Sequence, residues 1–195
     1  MLTYKQVGTS FFPQYDQVPM RFCASTIYAI EKHDRGLCGF SLVEISVEPF
    51  AKDFCIESSE NWKRWDLSNW AFFMAYDGDK PVGAAAVASR TKEINMLAGR
   101  DDLAVLWDIR VDESCKRRGV GQRLFNMVVD WSRRAGLSQM KIECQNNNVA
   151  ACKFYHKQGA VLCEINEYAY YNEPEYRHEA QLVWYLDITR TKEDV

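Results

Sequence analysis

The stretch that decides the fold runs from Leu103 to Gly121: Leu-Ala-Val-Leu-Trp-Asp-Ile-Arg-Val over 103–111, Asp-Glu-Ser-Cys over 112–115, then Lys116-Arg117-Arg118-Gly119-Val120-Gly121. Its first nine residues are a nearly continuous apolar run, the pattern of a strand buried on both faces in the middle of a sheet. Its last six place three cations beside two glycines. From there Val120, Leu124, Val128 and Trp131 recur at spacings of four, four and three, with Gln122, Arg123, Asp130, Arg133 and Arg134 between them. That periodicity predicts an amphipathic helix over 119–135 closed by Gly136. Strand, glycine-rich basic turn and helix N-terminus, in that order, make a phosphate cradle: glycine lets the backbone approach a ligand, and the unpaired N–H groups of the first turn present themselves to it. The helix dipole adds about 0.3–1 kcal/mol for an anion. A plainer reading has the glycines loosening a helix start while the cations face water, and an isolated basic Gly-x-Gly segment leaves both open.

Downstream, Met140–Cys144 reads as a short strand, and 148–158 as a second helix with Asn148 as N-cap and Gly159 just past its end. Two more strands, 161–165 and 181–186, enclose an aromatic, acidic connector from Glu167 to Glu179. Upstream, the apolar runs 70–76 and 82–89 flank Asp77-Gly78-Asp79-Lys80-Pro81, a turn sequence, and predict a β-hairpin. In the first 60 residues, short apolar pieces such as 22–30 alternate with turn-like segments such as His33-Asp34-Arg35-Gly36. Only 40–47 reads as a strand there, ended by Pro49.

With 195 residues, 47% apolar and 26% charged, the chain is expected to build one domain over 1–195, its catalytic core at about 40–190. A net charge of −3 offers no basic field, which argues against a nucleic-acid partner. No apolar run approaches the roughly 20 residues that span a bilayer, and the first residues lack the apolar stretch of a signal peptide, so a cytoplasmic, membrane-free protein is expected. The seven cysteines are odd in number, widely spaced and without a C-x-x-C or a His pair at ligand spacing. They are expected to be reduced thiols, several of them buried, with no metal site.

A basic residue, two others, then Gly-x-Gly, after a strand and opening a helix, resembles the acetyl-CoA signature of the GNAT superfamily of N-acetyltransferases; Lys116 stands where Gln or Arg is usual. About 30 residues on, Asn148, Ala151, Tyr155 and Gly159 are similar to the family's second motif. The resemblance implies a mixed, mostly antiparallel α/β (α+β) sheet flanked by helices, with a V-shaped split between its two central strands that holds acetyl-CoA. It implies coenzyme contacts from the strand residues Ile109, Arg110 and Val111, from the loop Lys116, Arg117, Arg118, Gly119, Val120 and Gly121, and from Asn148 and Ala151. It places the Tyr155 hydroxyl near the coenzyme sulfur. A phenol of pKa about 10 can protonate a departing thiolate without ionising at neutral pH, so Tyr155 is the candidate general acid, against the alternative that Phe154 and Tyr155 simply pack. Residues 102–111 and 143–148 look like segments of bacterial streptothricin acetyltransferases, which implies a primary amine of a small cationic molecule as acceptor.

An amine that arrives protonated must lose its proton before it attacks. Asp108 is costly to bury alone, so it is either half of an ion pair, with Arg110 two residues on as the partner, or a substrate anchor. Glu143 is the competing base, supplemented by Glu173 and Glu175. Residues 168–176, with Trp184 and Tyr185, could wall a polar cation or simply form a loop with buried anchors. Other acceptors (a polyamine, an amino acid, a peptide N-terminus), a CoA-binding module without transfer, and a cysteine enzyme using Cys115 or Cys144 with His156 are the alternatives. A monomer or homodimer is expected.

Overall fold

The structure is a computed structural model that describes residues 1–54 and 58–189; Cys55, one of the cysteines read as reduced thiols, lies outside them. In chain order the strands are β1 (Leu2–Val7), β2 (Arg21–Lys32), β3 (Phe40–Asp53), β4 (Ala71–Asp77), β5 (Lys80–Ser89), β6 (Leu103–Val111), β7 (Gln139–Gln145), β8 (Val161–Asn166) and β9 (Gln181–Asp187). The α-helices are α1 (Phe12–Tyr15), α2 (Val120–Arg134) and α3 (Val149–Lys157). Within the described residues the chain forms two compact units, one of 1–21, 53–142 and 186–189, the other of 22–52 and 143–185.

In the first unit the strands hydrogen-bond in the order β1-β4-β5-β6-β7. The first three pairings are antiparallel, and β6 runs parallel to β7 over Leu103–Leu106 against Gln139–Ile142. This is the mixed, mostly antiparallel sheet with flanking helices that the sequence predicts. The 70–89 hairpin forms as expected, its turn eased by Gly78 at φ +61°. Strand β1 has no counterpart in the sequence-based expectation: its alternation of Leu2, Tyr4 and Gln6 is too short and too polar to read alone, and it becomes a strand by pairing with the apolar β4.

Helix α2 buries Val120, Leu124, Val128 and Ser132, with Phe125 and Val129 beside them. The predicted Trp131 is only half-buried, because the stripe continues at a spacing of four into Ser132, whose Oγ donates to the Val128 carbonyl at 2.9 Å. The helix lies against the sheet at Gly83 of β5, where a Cβ would stand 2.8 Å from Val120 Cγ1 and 2.9 Å from Leu124 Cδ1. Beyond its last turn, Gly136 takes φ +74°, the left-handed residue that ends the helix.

The second unit contains β2 and β3 as a two-stranded ribbon, and β9 between the end of β7 and β8. The turn of the ribbon places Asp34 (φ 46°) and Arg35 (φ 56°) in the left-handed region. Strand β3 does not end at Pro49; it runs through it to Asp53. A two-stranded ribbon leaves alternate N–H groups of each strand pointing away from the partner, and a proline is tolerated at such positions. Helix α3 begins at its predicted cap, Asn148, and ends before Gly159 at φ +90°.

Replacing Gly83 with Ala is expected to destabilise the protein by about 1–3 kcal/mol, the usual cost of overpacking, because two buried side chains of α2 must move. Urea unfolding checks this: the midpoint should fall with the slope unchanged.

Candidate active site

Strand β6 carries one extra residue, Trp107, between the pairs Ala86–Asp108 and Val87–Leu106. Past this bulge Asp108 and Arg110 are buried on one face, and Ile109 and Val111 are half-buried on the other; the Trp107 ring packs against Trp65 and Trp70. The side chains of Asp108 and Arg110 are 4% and 5% exposed and form an ion pair, with Arg110 Nε donating to Asp108 Oδ2 at 2.8 Å. The same oxygen accepts from the Tyr15 hydroxyl at 3.0 Å, and Arg110 Nη1 donates to the Val18 carbonyl at 3.2 Å. Burial, then the Asp108 charge, pushes the Tyr15 phenol well above its ordinary pKa, so it stays a donor. Of the two possibilities for Asp108, the ion pair with Arg110 is present, and its second oxygen, Oδ1, is buried without a partner.

The loop after β6 opens with Asp112, whose Oδ1 accepts from the Ser114 N–H at 3.0 Å and sets up a single turn over Glu113–Cys115. Lys116 is extended, Arg117 is left-handed at φ 58°, and Gly119 is left-handed at φ 81° as the N-cap of α2. Backbone of alternating hand makes a concave nest of N–H groups suited to an anion. A Cβ on Gly119 would meet nothing within 4 Å, so the protein leaves the space beside it open. The cations are arranged differently from a ring of phosphate ligands. Lys116 Nζ donates to Glu113 at 2.7 Å and to the Arg21 carbonyl at 3.2 Å, and Arg118 donates to Asp77 at 3.2 Å. Arg117 is exposed.

In the second unit, Asn148 Oδ1 accepts from the Ala151 N–H at 3.1 Å, so the cap expected from sequence uses the first turn of α3. One turn on, Tyr155 is 6% exposed, its ring edge-to-face with Phe154 at 5.5 Å. Glu143 of β7 accepts from the Tyr170 hydroxyl at 2.7 Å, and Gln145 Nε2 donates to that hydroxyl at 3.1 Å. Burial, then the Glu143 charge, raises the pKa of Tyr170. The aromatic connector therefore divides: Tyr170 is tied to Glu143, whereas Tyr168 and Tyr171 are 73% and 61% exposed and Glu173 and Glu175 face solvent.

The sequence reading passed over Asn146, which is buried and makes four hydrogen bonds. Its Nδ2 donates to the Tyr28 carbonyl at 2.9 Å, its Oδ1 accepts from Ala180 at 2.8 Å, and its backbone N–H and C=O pair with Ala180 and Tyr28. No sequence signal separates it from its neighbours in Gln145-Asn146-Asn147-Asn148. The thiols are free among the described residues, with Cys115, Cys144 and Cys152 buried. Cys144 lies 3.5 Å from Cys152, whose hydrogen bond, with burial, raises its pKa and keeps it a thiol, which disfavours it as a nucleophile. Among the described residues no group of three or more His, Cys, Asp or Glu could hold a metal ion, and no helix is long and apolar enough to cross a membrane.

The loop 116–121 and the whole of α3 with its cap fall within residues 40–160, the span matched by the model of the acetyltransferase (GNAT) family. The chain belongs to the GNAT acetyltransferase family. As a GNAT enzyme it is similar to the streptothricin acetyltransferase of Escherichia coli, 26% identical over 164 residues that cover 84% of each chain. A nourseothricin acetyltransferase crystal structure superposes with a TM-score of 0.77 at 20% identity, covering 96% of this chain and 98% of its own. A Bacillus anthracis protein provisionally named a streptothricin acetyltransferase, solved with acetyl coenzyme A, superposes with a TM-score of 0.75 at 23% identity, covering 96% and 99%. At these identities the structures establish the shared GNAT fold.

Replacing Arg110 with Met strands the Asp108 carboxylate in a dry site and is expected to cost about 3–5 kcal/mol of folding stability, read by urea unfolding. A loss under about 1 kcal/mol would mean that water reaches the carboxylate.

Proposed function

We propose that this GNAT enzyme transfers the acetyl group of acetyl-CoA to a primary amine of a small cationic molecule, with streptothricin, the substrate named for its relatives, as the foremost acceptor. The observation that carries the coenzyme half is the left-handed Arg117 and Gly119 backbone at the start of α2, with open space where a Gly119 side chain would stand. Backbone amides, more than the cations, cradle the pyrophosphate, and Arg117 is the side chain left to meet an outer phosphate. Ile109, Arg110 and Val111 contribute backbone groups along β6, and Asn148 and Ala151, joined by the α3 cap, line the coenzyme arm.

In the transfer step the neutral amine nitrogen attacks the thioester carbonyl, the C–S bond breaks, the thiolate takes a proton from the Tyr155 hydroxyl, and the proton that the acetylated nitrogen sheds on becoming an amide returns to the Tyr155 phenolate through water. The ammonium proton of the acceptor leaves through water to Glu143, which the Tyr170 hydroxyl holds in place. Asp108 is the second acid of the proposed site. With Oδ2 held by Arg110 and Tyr15, its role is to anchor the amine through the remaining oxygen, Oδ1. The chain works as a single cytoplasmic catalytic domain acting on a small molecule.

Tyr155→Phe is expected to lower turnover roughly 10- to 1000-fold with little change in acetyl-CoA affinity, measured by thiol release and calorimetry. Unchanged turnover would remove the general-acid role and favour a CoA-binding module. Gly119→Val, which places a β-branched side chain at φ 81° in the open space, is expected to weaken acetyl-CoA binding about 10- to 100-fold in the same calorimetric titration.

A further inference from the structure

The second unit carries an open-sided cavity of about 430 Å³ that the transfer chemistry does not use. Its walls come from the β2–β3 ribbon, from Asn146 and Asn147 just before α3, and from the end of the aromatic connector. Lys52 and Glu179 meet in an ion pair with side chains 10% and 4% exposed, and Lys52 Nζ sits 4.4 Å above the Tyr176 ring. The cavity thus already seats one ammonium on an aromatic face against a carboxylate. Glu48 and Glu175 also line it, so its lining sets three carboxylates against one ammonium. Phe50 adds an apolar face.

An acidic lining alone would be a solvated surface. The second observation is Asn147, 8% exposed, whose Oδ1 is buried with no hydrogen-bond partner. An orphaned buried carbonyl is costly unless something fills its valence. The three neighbours in the same run all use their side chains: Gln145 on Tyr170, Asn146 on Tyr28 and Ala180, Asn148 on Ala151. Of the four, Asn147 has the buried amide oxygen without a partner, and it lines the cavity. A half-turn of its amide exchanges oxygen for nitrogen, so it can pair with either an N–H or a carbonyl of a bound molecule.

We propose that this cavity is the specificity subsite for the acceptor: it binds a second cationic group, ammonium or guanidinium, that is not acetylated, with the Asn147 amide pairing to that group or to the polar arm bearing it. The assignment rests on the acetyl-transfer reading above and narrows it, since acceptors carrying at least two cations are selected over monoamines. Glu48 and Glu175 draw the cation in, Phe50 and Tyr176 cover its faces, and Asn147 fixes its orientation.

Calorimetric titration of the full chain, without acetyl-CoA, with streptothricin and with agmatine tests the subsite, and thiol-release kinetics with streptothricin test the transfer. Asn147→Leu, close in volume to the native residue, should weaken binding about 5- to 30-fold, the loss of one buried hydrogen bond, and raise KM more than it lowers kcat. Asn147→Asp keeps the shape and adds a charge, so it should tighten binding and steepen its salt dependence; a merely structural Asn147 would make both variants weaker. Glu48→Gln, at an exposed position, should weaken binding about two- to fivefold at low salt and less in high salt. Turnover of streptothricin by the wild type with Kd and KM unmoved in all three variants overturns the subsite and leaves the transfer reading standing. Binding that depends on Asn147 without any thiol release keeps the cation subsite and removes the transfer reading. A wild-type protein that binds neither streptothricin nor agmatine overturns the subsite whatever else it acetylates.

Discussion

A carboxylate in the middle of a sheet has to be neutralised where it stands, and the first unit is organised around that requirement. Asp108 sits among residues of β6 that are otherwise apolar, and one of its oxygens gathers Arg110 from the same strand and Tyr15 from α1. Arg110 then reaches the Val18 carbonyl, so residues 15–18 are fastened to the sheet through one charge. The aromatic residues around that anchor, Phe12, Tyr15, Trp62 and Phe72, pack edge-to-face and in stacks. The cost of burying the charge and the fastening of the N-terminal segment are therefore one constraint.

The bulge at Trp107 gives that constraint a direction. One extra residue puts Asp108 and Arg110 on the buried face and turns Ile109 and Val111 to the other, so the same nine-residue strand carries a structural ion pair on one side and the approach to the phosphate loop on the other. At Gly83 the absence of a side chain lets α2 settle onto the sheet, and at Gly119 a left-handed residue starts that helix, so its N-terminus opens onto free space. The cationic residues that stand out in the sequence contribute less than they promise, because Lys116 and Arg118 are engaged by Glu113 and Asp77. The anion recognition proposed here therefore rests on the backbone.

In the second unit four consecutive side-chain amides take four roles. Gln145 supports the Tyr170–Glu143 contact, Asn146 stitches Tyr28 to Ala180, Asn147 keeps an unfilled oxygen, and Asn148 caps α3. Only the last was legible beforehand, since a cap acts on its own helix three residues away. The others act on residues 25 to 118 positions distant or on a ligand, and no spacing rule encodes that.

Local rules therefore determined a good deal. The apolar run of β6, the period of α2, the hairpin turn at 77–81, and the paired motifs at 116–121 and 148–159 placed the family and the central elements, because each depends on neighbours within a few residues. Long-range pairing decided the rest. Strand β1 exists because β4 lies beside it, β3 passes through Pro49 because a two-stranded ribbon leaves room for it, and Trp131 yields to Ser132 because the buried stripe of α2 is set by the sheet it faces. Whether Asp108 would be a free acid or a bound one, and which member of the Asn run would be left open, also turned on partners far away in the chain. Burial and hydrogen-bond satisfaction are settled by the whole fold, and a sequence read locally shows only which residues will need them.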